Sequence, residues 1–306
     1  MDLRLLIEPQ EGASYEDQLE VAQLAEVLGF QGFFRTDHYL PLGLGPSDAP
    51  RASSDAWITL AALARETTRI RLGTLVTAAT FRHPGPLAMA VSQVDAMSGG
   101  RVELGIGAGW FEPEHRAFGI PFPDLKTRFD RLDEQLEIFS RYWSTAPGQT
   151  FSFYGEHFQL IDCPALPRPS QNSGPPVILG GKGKPRTLRL AARWAAEFNL
   201  EFPRPGVPGI IRRDLLAACE SAGRDPDSLI YSAAHLACVG VDETDLLRRA
   251  ERAGLDLSLK LGGLIGTIEQ VRDDLTKLEA QGITRFYLQV PDLRDHQHLR
   301  ALAELI

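Results

Sequence analysis

Residues 71–106 read RLGTLVTAAT FRHPGPLAMA VSQVDAMSGG RVELGI, which contains a strand, a helix and a second strand. The run from Arg71 to Thr77 is rich in Leu, Val and Thr, residues that favour a buried strand. Proline in the first turn predicts a helix over Pro84 to Met97, which Ser98-Gly99-Gly100 ends. Val102 to Ile106 is the second strand. This order is typical of a parallel βαβ unit.

The same alternation continues along the chain, and we predict about eight strands, each followed by a helix. Eight units favour a closed (β/α)8 TIM barrel of class α/β over an open doubly wound sheet. The predicted strands are Leu3–Ile7, Gly32–Arg35, Arg71–Thr77, Val102–Ile106, Val177–Leu179, Phe198–Leu200, one within Ser228–Val241, and Arg285–Val290. The predicted helices are Ser14–Leu28, Asp55–Arg65, Pro84–Met97, Arg128–Trp143, Pro185–Ala195, Ile210–Ala222, Glu243–Ala253, Thr267–Gln281 and His298–Ile306.

The chain reads as a single domain over residues 1–306, because no linker-like change of composition divides it. One interruption stands out near residues 145–175. Two aromatic runs, Phe151–Tyr154 and His157–Leu160, flank Gly155, and a proline-rich stretch follows them. This pattern predicts a β-hairpin inserted into the barrel.

Composition excludes several classes of function. Forty acidic residues against 32 Lys and Arg give a net charge of −8, which argues against a general nucleic-acid binder. Three cysteines far apart in sequence have neither metal-ligand nor disulfide-framework spacing, as expected of a cytoplasmic protein. The chain has no signal-peptide pattern and no long apolar run, so we expect no leader and no membrane span.

In a (β/α)8 barrel the active site lies at the C-terminal ends of the strands, which makes the polar residues there the candidates. Asp37 and His38 directly follow the second strand. An imidazole in that position can exchange a proton with a reacting centre or with a cofactor ring nitrogen. The alternative is that both side chains only satisfy the backbone of the loop.

Small residues follow the fourth strand, in Gly105-Ile106-Gly107-Ala108-Gly109. The glycine spacing resembles the start of a Rossmann fingerprint, but no acidic residue ends a second strand at the required distance. In a barrel these glycines clear space above a strand end. Glu112 follows these glycines. Its carboxylate is either a catalytic acid or base at the rim of the barrel, or a solvated surface group. Glu112 and His115 have no third ligand nearby, so we predict no metal site.

The most informative local feature is the segment Gly180-Gly181-Lys182-Gly183-Lys184 after the fifth strand. Glycines let backbone N–H groups face outward, and the start of the following helix favours anions. Lys182, Lys184 and Arg186 add positive charge in an otherwise acidic protein. The spacing does not fit a Walker A motif, so we predict a phosphate-binding loop of another kind.

Taken together, the motifs resemble the luciferase-like monooxygenase superfamily, and within it the F420-dependent oxidoreductases. Each motif alone is weak, but their order and spacing over nearly the whole chain are specific. The motifs are Gly29-Phe30, Thr36-Asp37-His38-Tyr39, Ile70 to Thr77, His83-Pro84, Asp95 with Met97 to Arg101, Gly105 to Trp110, and Pro176 to Gly181.

The resemblance implies a (β/α)8 barrel with a cofactor laid across the strand ends. Asp37 and His38 would lie near the pyrimidine side of the ring. Leu75, Val76 and Thr77 would lie behind it, where the family often has a non-proline cis peptide. The remaining implied contacts are Ala108 and Gly109 near the ring or its side chain, and Gly180, Gly181, Lys182 and Gly183 around the phosphate.

The pattern is most similar to F420-dependent members, which implies hydride transfer between coenzyme F420 and a small organic substrate, with His38 as proton donor or acceptor. In the sugar-phosphate dehydrogenases of this superfamily a Glu follows the strand-four glycines and an aromatic residue follows the Asp-His pair. Trp110 and Leu42 hold those positions here, which disfavours sugar phosphates and leaves Glu112 as the candidate second acid or base. The alternatives are an FMN-dependent monooxygenase and a catalytically silent flavin-binding protein. The resemblance also implies a homodimer.

Overall fold

The structure is a computed structural model that describes residues 1–43, 53–257 and 262–306. Its strands alternate with helices in the order that the sequence predicts. The strands are β1 (Asp2–Ile7), β2 (Gly32–Arg35), β3 (Arg71–Thr74), β4 (Thr77–Ala78), β5 (Val102–Gly107), β6 (Phe151–Tyr154), β7 (Gln159–Cys163), β8 (Val177–Gly181), β9 (Glu197–Glu201), β10 (Ile230–Gly240), β11 (Leu264–Thr267) and β12 (Arg285–Gln289).

Eight parallel strands close into a barrel in the described part of the chain. They follow the order β1, β2, β3, β5, β8, β9, β10 and β12, and β12 pairs back onto β1. The short strand β4 extends the β3 position along β5, and β11 adds to the end of β10. The predicted (β/α)8 TIM barrel is therefore confirmed.

Helices surround the barrel, and several begin at capping residues visible in the sequence. Ser14 and Asp17 form a reciprocal capping box on the first helix, as their spacing predicts. The helices are α1 (Tyr15–Leu28), α2 (Ala56–Glu66), α3 (Pro84–Ser98), α4 (Glu112–Ala117), α5 (Leu125–Ser144), α6 (Pro185–Trp194), α7 (Val207–Ser221), α8 (Glu243–Arg252), α9 (Ile268–Glu279) and α10 (His296–Ala303). No helix in the described ranges is both long and apolar enough to cross a bilayer.

The predicted insertion is also confirmed. β6 and β7 pair as an antiparallel hairpin outside the barrel sheet. Phe153 and Phe158 of this hairpin pack with Ile138 of α5 into a small buried cluster. That cluster attaches the hairpin to the outer helical layer, close to the C-terminal side of β3 and β5.

The barrel interior is charged near the N-terminal ends of the strands and apolar above them. Arg4 Nη1 lies 2.7 Å from Glu103 Oε2, Arg71 also binds Glu103, and Arg285 binds Glu197. Burial opposes ionisation of Glu103, but Arg4 and Arg71 outweigh it and lower the pKa of its carboxyl. The next layer is apolar and consists of Leu6, Phe34, Leu75, Ile178, Ala234 and Tyr287.

Three elements differ from the sequence prediction. The strand predicted over Arg71–Thr77 is divided into β3 and β4, because Leu75 and Val76 take no part in the strand pairing. The run before Thr267 forms strand β11, and the helix starts after it with Thr267 as its cap. The short helix α4 was not predicted, because Pro113 near its start and only six residues leave no clear helical period.

Candidate active site

His38 lies at the C-terminal end of β2 and is held by a carboxylate from another part of the chain. Its Nδ1 lies 3.0 Å from Oε1 and 3.1 Å from Oε2 of Glu114, on α4. Glu114 also accepts a 2.9 Å hydrogen bond from the backbone N–H of Tyr39. The Glu114 side chain is only 1% exposed, whereas that of His38 is 13% exposed. Nδ1 is therefore hydrogen-bonded to Glu114, and Nε2 is the ring nitrogen that can hydrogen-bond to a ligand.

The charge state of His38 follows from this pair. Burial alone would lower the pKa of the imidazole, but the hydrogen bond and negative charge of Glu114 outweigh it and raise the pKa above 6.5. Glu8 and Asp37 add smaller contributions of the same sign. His38 thus keeps its proton to a higher pH than an isolated histidine, which suits a group that donates a proton near neutrality.

Asp37 forms a buried network beside His38. Its carboxylate accepts a 2.9 Å hydrogen bond from the Thr77 hydroxyl and binds the Arg82 guanidinium, at 2.5 Å and 3.2 Å. Arg82 reaches Asp55 as well, at 2.5 Å. These contacts join the ends of β2 and β4 to the start of α2. Asp37 would therefore act on a bound ring mainly by fixing Thr77 and Arg82.

The peptide bond between Leu75 and Val76 is cis, as the resemblance implies. It lies between β3 and β4, where Leu75 is buried and Val76 is partly exposed at the centre of the strand ends. Glycines on neighbouring strands make room for this segment. A Cβ on Gly105 would lie 1.9 Å from the Thr74 carbonyl oxygen, and one on Gly180 would lie 3.0 Å from Val76 Cγ1. Val76 can reach this central position only because these side chains are absent.

Ala108 and Gly109 follow β5 and pack beside a second buried histidine. A Cβ on Gly109 would lie 2.8 Å from the Thr80 hydroxyl, which is itself 2.6 Å from His115 Nε2. His115 Nδ1 donates to the Phe111 carbonyl at 2.8 Å. Both ring nitrogens of His115 are thus engaged inside the protein. His115 consequently supports the loop after β5 and is not oriented toward a metal.

The predicted phosphate loop connects β8 to α6. Lys184 is the N-cap of α6, and no side chain caps this helix start. Its free backbone N–H groups and the positive end of the helix dipole therefore suit an anion. Gly183 has φ +72°, and its neighbour Lys182 has an exposed ammonium 3.9 Å from Glu201. The geometry of this loop fits a phosphate group.

Aromatic side chains form one wall next to His38. Trp110 and Phe111 meet the imidazole edge-on, with ring centroids 5.7 Å and 6.1 Å away. Tyr39 stacks on Phe81 at 4.6 Å. Because active-site loops follow the strands of a barrel, we expect the loops over residues 39–54 and 110–125 to carry substrate specificity. Residues 44–52 of the first loop lie outside the described residues.

The carboxylate that contacts His38 is not the one that the sequence suggested. Glu112 is exposed at the first position of α4, and its role as an acid or base remains a prediction. The buried carboxylate beside His38 is Glu114, which sequence reasoning missed. No local pattern signals this contact, because Glu114 is 76 residues from His38 in sequence. In addition, α4 itself was not predicted.

Most of the residues that the resemblance assigns to a cofactor lie at the strand ends. The site combines a platform at the Val76 surface, an anion site at the uncapped start of α6, and a candidate proton donor in His38, whose pKa is raised. This set of groups fits a phosphate-bearing ring cofactor. The residues concerned are Asp37, His38, Leu75, Val76, Thr77, Ala108, Gly109, Gly180, Gly181, Lys182 and Gly183.

Comparison with known proteins places the chain among related sequences. A family model described as luciferase-like monooxygenase matches residues 4–261. An F420-dependent glucose-6-phosphate dehydrogenase from Microbacterium testaceum is 35% identical over 216 residues, which cover 69% of this chain and 60% of that protein. An F420-dependent hydroxymycolic acid dehydrogenase from Mycobacterium tuberculosis is 32% identical over 228 residues, which cover 72% of this chain and 59% of that protein. The chain spans about half to three-fifths of the length of such relatives.

A solved structure supports the fold. An F420-dependent secondary alcohol dehydrogenase, in complex with an F420-acetone adduct, superposes with a TM-score of 0.85. The superposition covers 100% of this chain and 98% of the other, at 20% sequence identity. At that identity the likeness establishes the shared architecture.

Proposed function

The chain belongs to the luciferase-like monooxygenase family, and from this premise we propose that it is an oxidoreductase that transfers hydride between coenzyme F420 and a small organic substrate. The observation that carries the proposal is the His38–Glu114 pair at the C-terminal end of β2. A histidine with a raised pKa at the strand ends supports a role as proton donor, and the relatives of this chain include enzymes named as F420-dependent.

Each group of residues has a part in this proposal. The α6 start and the Gly180–Gly183 segment hold the phosphate, and Leu75, Val76 and Thr77 support one face of the ring. When bound, the deazaflavin supplies the site that accepts or gives hydride. His38 holds or supplies the accompanying proton at Nε2, and Glu114 is the positioning residue that fixes the orientation of the imidazole. Trp110 and Phe111 contact one side of the His38 ring.

A binding titration tests this proposal. Purified protein is titrated with F420 and, separately, with FMN at fixed salt, and fluorescence follows each. Tight F420 binding with weak FMN binding supports the proposal. Preference for FMN favours the second candidate, an FMN-dependent monooxygenase, which the description of the family itself supports. Binding of neither cofactor contradicts both.

Replacement of His38 tests the assigned chemistry. His38→Ala is expected to reduce turnover about 100-fold or more, as loss of a general acid does, while cofactor affinity stays near that of the wild type. Unchanged turnover would remove His38 from the mechanism. Normal cofactor binding without turnover of any substrate in the wild type would indicate the silent flavin-binding alternative.

We further propose that residues 1–306 act as one domain and that the protein forms a homodimer. The exposed apolar side chains of Ile58 on α2 and Met89 on α3 support an interface on those packed helices.

Cytoplasmic localisation stays a prediction from composition. The three cysteines, Cys163, Cys219 and Cys238, are free.

A further inference from the structure

A cavity of about 190 Å³ lies at the C-terminal ends of β1, β10 and β12. Glu8 after β1, Leu236 on β10 and Gln289 on β12 contribute to its wall. The cavity adjoins the candidate active site, because Glu8 Oε2 accepts a 2.9 Å hydrogen bond from the Thr36 hydroxyl, two residues before His38. We refer to this cavity as the β1–β12 recess.

The wall of the β1–β12 recess is acidic. Its described charged residues are four carboxylates and one guanidinium: Glu8, Glu11, Asp17, Asp292 and Arg294. Arg294 binds Asp17 at 3.3 Å, and Asp292 lies 2.5 Å from the Arg252 guanidinium. These ion pairs leave Glu8 and Glu11 as the carboxylates whose charge has no cationic partner among the described ion pairs.

Glu8 takes its hydrogen bonds from neutral donors. Thr36 donates to Oε2, and the Gln289 amide donates to Oε1 at 2.5 Å, while Gln10 also binds Oε2. The residue lies in the wall of the recess and is partly exposed as a whole. Burial raises its pKa, and these three hydrogen bonds together with the nearby His38 only partly offset the effect. Glu8 is therefore held by neutral donors and has no direct ion pair among the described residues.

Glu11 lacks one hydrogen-bond donor. Its Oε1 accepts from the backbone N–H groups of Leu42 and Gly43, at 2.5 Å and 3.1 Å. The residue is about nine-tenths buried, and its Oε2 has no hydrogen-bond partner among the described residues. A buried carboxylate oxygen without a donor is unfavourable. A ligand that brings an O–H or N–H group into the recess would remove that penalty.

We propose that the β1–β12 recess is the substrate-binding part of the active site and that it takes a small organic molecule carrying hydroxyl or ammonium groups. The same carboxylates disfavour phosphate esters and carboxylic acids, because like charges repel strongly in a partly buried site. The inference rests on the proposed hydride transfer, which makes a ligand in a recess next to the strand ends a substrate, and Glu8 of the recess wall interacts electrostatically with His38. It also implies that this chain does not share the sugar-phosphate substrate in the names of its relatives.

Three probes with one carbon skeleton test the charge preference: cyclohexanol, cyclohexylamine and cyclohexyl phosphate. Calorimetry measures their binding to the full chain, with and without F420. Cyclohexylamine and cyclohexanol are expected to bind at millimolar concentration, and cyclohexyl phosphate at least about tenfold more weakly. Glu11→Gln is expected to weaken cyclohexylamine binding about tenfold and to narrow the gap to the phosphate. Glu220→Gln, an exposed change on α7, is the matched control.

Several outcomes overturn the proposal: equal or tighter binding of cyclohexyl phosphate to the wild type, no binding of any probe, or an unchanged gap between cyclohexylamine and cyclohexyl phosphate in Glu11→Gln. If thermal melting shows that Glu11→Gln is unfolded, Glu8→Gln tests the same charge. The F420 titration is read separately. Loss of F420 binding with the probe order intact contradicts only the proposed function. Normal F420 binding with a preference for the phosphate contradicts only the assignment of the recess.

Discussion

Glu114 and His38 are 76 residues apart in sequence, yet both carboxylate oxygens of Glu114 lie within 3.1 Å of one imidazole nitrogen. Helix α4 brings the carboxylate over the end of β2, and the backbone N–H of Tyr39 fixes it there. The pair links the loops after β2 and β5. It sets both the orientation and the proton affinity of the imidazole.

Removal of this carboxylate should change the pH dependence of catalysis. In Glu114→Gln the pKa of His38 is expected to fall, because burial then acts without the opposing charge. The pH above which turnover declines should shift downward, and turnover at neutral pH should fall about tenfold or more. Histidine NMR titration and the pH profile of turnover measure the two effects. Glu112→Gln is the nearby comparison, and an equal shift there would contradict the assignment.

The same pair predicts how stability depends on pH. The pKa of His38 is raised in the folded protein, so the pair stabilises it fully below about pH 6.5, the ordinary histidine value. That contribution is lost as the pH rises through the folded pKa. Urea unfolding of wild type and Glu114→Gln should therefore differ more at pH 6 than at pH 9. A difference that grows toward high pH would be inconsistent with a protonated His38.

A methyl group at position 105 should not fit. A Cβ there would lie 1.9 Å from the Thr74 carbonyl oxygen, and backbone cannot yield as a flexible side chain can. We expect Gly105→Ala to lower the free energy of unfolding by about 3 kcal/mol or more. Gly85→Ala, on helix α3, is the control, because the only atom within 4 Å of the new Cβ would be Leu160 Cδ2, at 3.6 Å. That variant should be neutral or slightly stabilising in a thermal melt.

The charged layer inside the barrel should be sensitive to a single neutral substitution. Glu103→Gln leaves Arg4 and Arg71 without their shared carboxylate, and loss of one partner from a buried ion pair costs about 3–5 kcal/mol. Urea unfolding measures the change. Asp274→Asn, which removes an exposed pair with Lys277, should stay within about 0.5 kcal/mol of wild type. Similar losses in both variants would show that burial does not decide the effect.

The loop before α6 should affect cofactor binding more than stability. Gly183 has φ +72°, and a Cβ there would lie 2.6 Å from Ile211 Cδ1, so Gly183→Ala must displace the loop. We expect about tenfold weaker binding of F420, and of FMN as well, because both present a phosphate. Gly148→Ala carries a similar backbone penalty at φ +77°, far from the strand ends in sequence. Its cofactor affinity should be that of wild type, and equal losses would indicate a general effect.

The features that sequence predicted depend on neighbours along the chain. The capping pair of Ser14 and Asp17 spans three residues, and the glycine segment at 180–183 is continuous. Strand and helix periods are read in the same local way. Gly105 and Gly107 of β5 could therefore be assigned to a barrel before their closeness to Val76 was known.

The features that sequence missed join distant residues. Glu8 and Gln289 are 281 residues apart and form one hydrogen bond in the recess wall. A cluster of charged residues near the C-terminus is typical of a solvated loop, yet Asp292 and Asp295 are buried. No local pattern reports such contacts, since closure of the barrel brings β12 back to β1.

Short-range geometry and backbone freedom make three features readable along the chain: the order of strands and helices, the residues at the strand ends and the loop suited to phosphate. The contact between Glu114 and His38 and the shared recess of Glu8 and Glu11 depend instead on the closed fold. Those relationships exist because a closed ring of parallel strands places all their C-terminal ends on one face.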